Sequence, residues 1–243
     1  MSKQVGCFFI MLLFAWMLVV PVFAVEDEDT ISVVSYYIPL LVEDSESGAF
    51  VVLLKEAAKR AGIKYELELY PTKRAMRLFE DGKVMAILPA LLSTLSHDAA
   101  LTEQIFIKKI HGFVKSGNPI PRKISELEGK RIGLVRGFSY PRSILVNERI
   151  MVDYADTTDS SLKKLEEGRI DVVVVDGYTA VHALDRLGLN GLEYDLSVAL
   201  HSQPAFIAFQ STPEGEFLAA KMTKALLSMK EDGTYAAIVP KID

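Results

Sequence analysis

Arg77-Leu78-Phe79-Glu80-Asp81-Gly82-Lys83-Val84-Met85-Ala86-Ile87-Leu88-Pro89-Ala90 and Lys163-Lys164-Leu165-Glu166-Glu167-Gly168-Arg169-Ile170-Asp171-Val172-Val173-Val174-Val175-Asp176 are two copies of one pattern. Each reads as the last turn of an amphipathic helix, a glycine able to take the left-handed conformation, a basic residue and a short apolar run. A run without polar alternation is a strand buried on both faces, which requires a mainly parallel sheet with helices on either side. Two such units imply two α/β layers, hence two lobes.

The second copy ends on Asp176, at the carboxyl end of its predicted strand. Ligands of open α/β sheets bind outside the carboxyl ends of strands, which makes Asp176 the best-placed polar group of the chain. It is also a preferred N-cap for a helix starting at Gly177, and the two roles are compatible.

Outward from the copies, residues 31–37 alternate and form a first strand, and residues 48–62 a helix closed by Gly62. Residues 65–70 alternate strictly as a second strand, and Pro71 opens the helix of the first copy. Strands follow near 110–114, 131–135 and 150–154, with a turn at 136–139 and a helix over 140–149. The segment around Ser116-Gly117-Asn118-Pro119 is the strongest break. Residues 198–200 and 205–209 are extended, and a helix over 214–230 ends the chain. This helix has no sheet of its own, so the chain must cross back and pack it on the first lobe, with a hinge at the two crossings.

The amino terminus reads as an export signal: Lys3, an apolar run over 8–20, and Val22-Phe23-Ala24 as the cleavage site after Ala24. Cys7 and Trp16 leave with it, so a chain of residues 25–243 has no thiol. The whole chain carries 27 basic and 32 acidic residues, a net charge of -5, and losing Lys3 makes it -6. With no basic cluster, nucleic acid is excluded as a partner, and a small solute is favoured. The four histidines, His97, His111, His182 and His201, lack metal-ligand spacing, and no metal or cofactor is implied. Gly137-Phe138-Ser139-Tyr140-Pro141 departs from a nucleophile elbow because Pro141 stands where a glycine is needed.

Tyr37-Ile38-Pro39, Pro71-Thr72-Lys73-Arg74-Ala75, Leu127-Glu128-Gly129-Lys130-Arg131-Ile132-Gly133, Gly168-Arg169-Ile170-Asp171 and Lys230-Glu231-Asp232-Gly233-Thr234-Tyr235 occur in this order. In that order, over residues 30–243, the chain resembles the extracellular solute-binding proteins of family 3, the amino-acid-type periplasmic receptors of ABC importers. The resemblance implies a type II periplasmic-binding-protein-like α/β fold, with two lobes joined by two crossing strands. Lobe one would be 30–108 plus 205–243 and lobe two 109–204. It implies a periplasmic monomer that delivers a small solute to an ABC importer permease, or a sensor that presents it to a membrane receptor. A cyclohexadienyl-type dehydratase on the same fold is the enzymatic alternative, and no catalytic set supports it.

Carried over by position, Tyr37 packs on the ligand, the turn from Arg136 to Ser139 binds a ligand carboxylate, and Asp176 pairs with its ammonium. The usual carboxylate-binding arginine is replaced by His97, the pocket serine by Leu92, the pocket aromatic by Thr72 and the usual Asp after the first glycine by Met85. A neutral imidazole cannot reproduce a bidentate guanidinium. Arg74 and Arg136 are candidates for the missing positive charge, against the alternatives of a solvated helix arginine and a rim charge.

Overall fold

A computed structural model describes residues 30–239. The first strand, β1 (Ile31–Ser35), is followed by α1 (Ala49–Ala61), which buries the apolar stripe that includes Phe50, Leu53, Leu54 and Ala57 and is closed by Gly62 in the left-handed region. β2 (Tyr65–Leu69) alternates half-buried and exposed residues because it is an edge strand, beside β1 alone. The first copy of the repeated pattern is α2 (Thr72–Glu80), Gly82 at φ 67° and β3 (Ala86–Leu91), every residue of which is buried. β1 pairs in parallel with both β2 and β3.

A short 3-10 turn (Leu92–Thr94) and β4 (Ala99–Leu101) lead into the ten-residue strand β5 (Phe106–Lys115). β6 (Arg131–Val135), a four-residue helix α3 (Arg142–Leu145) and β7 (Met151–Ala155) come next. The second copy is α4 (Thr158–Glu166), Gly168 at φ 72° and the fully buried β8 (Val172–Asp176). α5 (Gly177–Leu187), β9 (Leu192–Tyr194), β10 (His201–Gln210), α6 (Pro213–Glu231) and α7 (Thr234–Ile238) finish the described chain.

The strand order is β2-β1-β3-β10-β5-β8-β6-β7. Its centre consists of the two long strands. β5 pairs through Phe106–Ile110 with the first half of β10 and through Ile110–Phe113 with β8, while the second half of β10 pairs with β3. Each of these strands therefore belongs to two half-sheets, and their antiparallel pairing carries the chain across and back. The core divides accordingly. Two apolar clusters lie within residues 31–106 and 205–239, and two within 110–200. This is a two-lobed α/β architecture. α6 sits where the sequence required it, with Leu218, Met222, Leu226 and Met229 in the cluster that holds Phe50 and Leu53 of α1. Its start is fixed by Thr212, whose hydroxyl accepts from Gly215 N at 3.1 Å, and by Pro213 in the first turn.

Three local readings differ. The helix expected over 140–149 shrinks to four residues because Pro141 precedes it and Asn147 Oδ1 accepts from Arg149 N at 3.0 Å, a local bond that competes with helix continuation. Residues 198–200 form no strand, and extended structure starts at His201. Two three-residue strands, β4 and β9, were too short to show a period. The expected export signal, residues 1–24, lies outside the described residues. Among the described residues, no helix is long and apolar enough to cross a membrane.

Candidate functional site

A cleft of about 1030 Å³ opens where the carboxyl ends of β1, β3, β6 and β8 converge. One wall is the segment from Tyr36 to Leu41 that follows β1. It is shaped by α1, whose first amides reach back: Ala49 N donates to Leu40 O at 3.0 Å and Phe50 N to Leu41 O at 2.8 Å. Leu40 is thereby held in the left-handed region at φ 69°, a conformation a leucine adopts only when its surroundings impose it. The opposite wall comprises the turn 136–139 after β6, the start of α4 and the start of α5.

Asp176 is 5% exposed at the junction of β8 and α5. Its Oδ1 accepts from the backbone N of Thr179 at 3.1 Å and from the Thr179 hydroxyl at 3.2 Å, so it is the N-cap of α5. Its Oδ2 is buried and has no hydrogen-bond partner. Burial pushes the carboxyl above its ordinary range, against the pull of Thr179, of the nearby Lys108 ammonium and of the Tyr178 backbone N–H. One oxygen thus completes the helix, and the other is an unfilled acceptor on the cleft wall.

Lys108 was not legible as a site residue. It lies on β5, two residues before Ile110, which pairs with Asp176. Its Nζ donates to Ser139 O at 2.8 Å and lies 5.8 Å and 5.9 Å from the ring centres of Phe138 and Tyr140. Burial lowers its pKa to about 8, partly offset by Asp176. The only sequence signal was a Lys108-Lys109 pair in a strand, and that pattern reads as a solvated face until the strand pairing is known.

Tyr37, Arg136, Ser139 and Asp176 line this one cleft. Tyr37 is 62% exposed at its mouth. Arg136 pairs with Asp156 at 3.1 Å and lies over the Tyr154 ring at 5.3 Å, an exposed arrangement. In the turn, Arg136 N and Phe138 N already donate to Ala155 O and Val135 O, which leaves Gly137 N and Ser139 N for a ligand. Ser139 Oγ lies 3.4 Å from Ser93 Oγ, which donates to Gln203 Oε1 at 2.8 Å, so hydroxyls from the two walls meet here.

Arg74 and His97 are not among the residues lining the cleft. Thr72 and Met76 carry the face of α2 that reaches it. Arg74 stands two residues on, about 200° around the helix, with its guanidinium 4.6 Å over Tyr70. His97 turns to the far end of α2, with Nε2 3.2 Å from Glu80 O and Nδ1 3.0 Å from Asp98 O.

A two-lobed α/β protein with a deep cleft holding an unsatisfied carboxylate and an ammonium belongs to the class of solute-binding proteins. The model of the bacterial extracellular solute-binding proteins, family 3, matches residues 30–242, and the chain belongs to that family. The structure is similar to the ligand-binding core of GluR0 from Nostoc punctiforme in complex with L-glutamate, at 23% identity and a TM-score of 0.70, covering 86% of this chain and 96% of that one. It is also similar to an ancestral arginine-binding protein bound to arginine, at 24% identity and a TM-score of 0.68 over 86% and 96% of the two chains. A histidine kinase sensor domain with similarity to periplasmic binding proteins matches at 19% identity and a TM-score of 0.69, over 86% and 93%. Comparison with curated protein sequences finds no match.

Proposed function

We propose that the chain is exported, loses residues 1–24, and works in the periplasm as a monomeric receptor. It closes around a small zwitterionic or cationic solute and delivers it to an ABC importer, acting by binding alone. Residues 30–108 with 205–243 form one lobe and 109–204 the other, a division supported by the separation of the apolar clusters on either side of β5 and β10. The observation that carries the reading is the buried, unpartnered Oδ2 of Asp176 on the cleft wall. Such an acceptor is costly when empty and is satisfied by a ligand ammonium. In this reading Tyr37, Ser139 and Arg136 contribute at the mouth and the turn, and Arg74 and His97, which are not among the lining residues, are left out of the site.

A thermal-shift screen of residues 25–243 against amino acids, polyamines, organic acids and sugars tests this. A ligand at about 100 times its dissociation constant stabilises by about 2.7 kcal/mol, or about 5–10 °C for a chain of this size. Shifts confined to zwitterions or cations are expected, and shifts with sugars or dicarboxylates alone contradict the reading. The likeness to a histidine kinase sensor domain supports a second reading, presentation of the solute to a membrane receptor. Deleting the gene separates the two. Lost uptake of the labelled solute marks an importer subunit, and intact uptake with a lost transcriptional response marks a sensor.

A further inference from the structure

We infer that Lys108 is the carboxylate anchor of the cleft, and that with Asp176 it selects an α-amino acid bearing an aromatic or long aliphatic side chain. This assignment rests on the solute-binding reading of the cleft and specifies its ligand. The argument starts from positive charge. Arg136, Arg142 and Arg186 also line the cleft, but Arg136 is held by Asp156 at 3.1 Å, Arg186 by Asp159 at 2.6 Å, and Arg142 is exposed to solvent on α3. Lys108 has no carboxylate in contact among the described residues, and one of its three N–H bonds goes to Ser139 O. The others remain for a ligand.

Placement supports the same role. β5 and β8 are neighbours, and the Ile110–Asp176 register brings the ammonium and the open carboxylate oxygen to the same end of the cleft. An amino-acid head group presents both charges within one small unit, so its carboxylate meets Lys108 and the free Ser139 N while its ammonium meets Asp176. Because Lys108 extends from a strand shared by both half-sheets, the charge it supplies sits at the hinge and not on either moving wall.

The remaining surroundings specify the side chain. Tyr36, Leu41, Phe50, Met76 and Phe106 form the wall on the β1 side of the cleft, and Phe138 faces them. The other charged groups of the lining are paired, Arg136 with Asp156 and Arg186 with Asp159, or exposed, as Glu43 and Arg142 are. A second charge on a ligand buried against the apolar wall is therefore desolvated without a free partner there, which disfavours acidic and basic amino acids. The volume of about 1030 Å³ accommodates an aromatic ring.

Calorimetry at pH 7 on wild type, Lys108→Met and Lys108→Arg tests the inference, with L-phenylalanine, L-phenylalaninamide, L-leucine, L-arginine and spermidine as probes. Wild type should bind phenylalanine about 100-fold more tightly than its amide, the scale of one charged hydrogen-bonded contact. Lys108→Met should weaken phenylalanine by that factor and leave the amide unchanged, while Lys108→Arg recovers part of the difference. Equal weakening of phenylalanine and its amide, or no weakening, overturns the anchor role, and a wild-type preference for arginine overturns the side-chain class. Binding of spermidine with no amino acid bound leaves the receptor reading standing and removes the Lys108 assignment. Binding of no probe overturns both. Thermal melts of the variants establish that each is folded.

Discussion

The two copies of the repeated pattern share a helix, a left-handed glycine and a buried strand, and differ at their ends. In the first, β3 closes its own valences: the Ser35 hydroxyl donates to Leu88 O and the Tyr36 hydroxyl to Pro89 O at 3.2 Å, and the strand ends on buried Ala90 and Leu91. In the second, the position matching Ala90 is Asp176, which caps α5 with one oxygen and leaves the other unpartnered. The helix, glycine and apolar strand are what the fold needs, and both copies have them. The polar residue at the strand end is not part of the shared pattern, since the first copy lacks it; in the second its Oδ1 caps α5 and only its Oδ2 is unpartnered.

Exchanging the ends breaks this comparison most severely. Ala90→Asp places a carboxylate in an apolar cluster without a helix to cap and should cost about 3–5 kcal/mol in urea unfolding. Asp176→Ala loses a cap of about 1 kcal/mol and is relieved of a buried charge, so it should cost less than that. Equal losses would show that the two strand ends are not different environments.

His111 marks a second asymmetry. It pairs with Val175, next to Asp176, and is fully buried, with both ring nitrogens unpartnered. Burial is the main cause of its lowered pKa, opposed by the Leu196 backbone and by Asp195, with Lys109 acting in the same sense as burial. The folded state therefore binds fewer protons than the unfolded chain. Stability present above the unfolded value of about 6.5 is lost as pH falls below it, by at most about 1.4 kcal/mol per pH unit from this one group. His111→Leu should flatten the melting temperature between pH 7 and pH 5; an unchanged slope would assign the acid sensitivity elsewhere. Asp176, with its raised pKa, works in the opposite sense and gains stability as it protonates.

The smallest effect should be the same in both copies. Gly82 and Gly168 have φ of 67° and 72°, and an added Cβ at either meets nothing within 4 Å. Gly82→Ala and Gly168→Ala should each cost about 1 kcal/mol for the left-handed conformation alone. Neither should alter ligand affinity, and a loss of affinity in one copy only would make that turn part of the site.

The fold was legible because its signals are local. Glycines at helix ends, the stripe of α1 and the unbroken apolar runs of β3 and β8 are each read within a dozen residues. Placement in the cleft was legible where a strand end or a turn fixes direction, as at Asp176, Arg136 and Ser139. It was not legible where direction depends on phase or pairing. Arg74 is near the right helix start but faces away from Thr72 and Met76. His97 follows a loop path that carries it to Glu80. Lys108 is brought to the cleft by pairings distant in sequence, since β5 lies between β10, where Lys108 is opposite Gln203, and β8, where Ile110 is opposite Asp176.

The central claim is that the second copy ends in the ligand anchor, and Asp176→Asn tests it most directly. Asparagine keeps a cap oxygen for Thr179 and removes the charge. Melting of wild type and variant, empty and with the strongest ligand of the screen, should give nearly equal values for the empty proteins and a ligand-induced shift in wild type only. A shift that survives in Asp176→Asn would contradict the account.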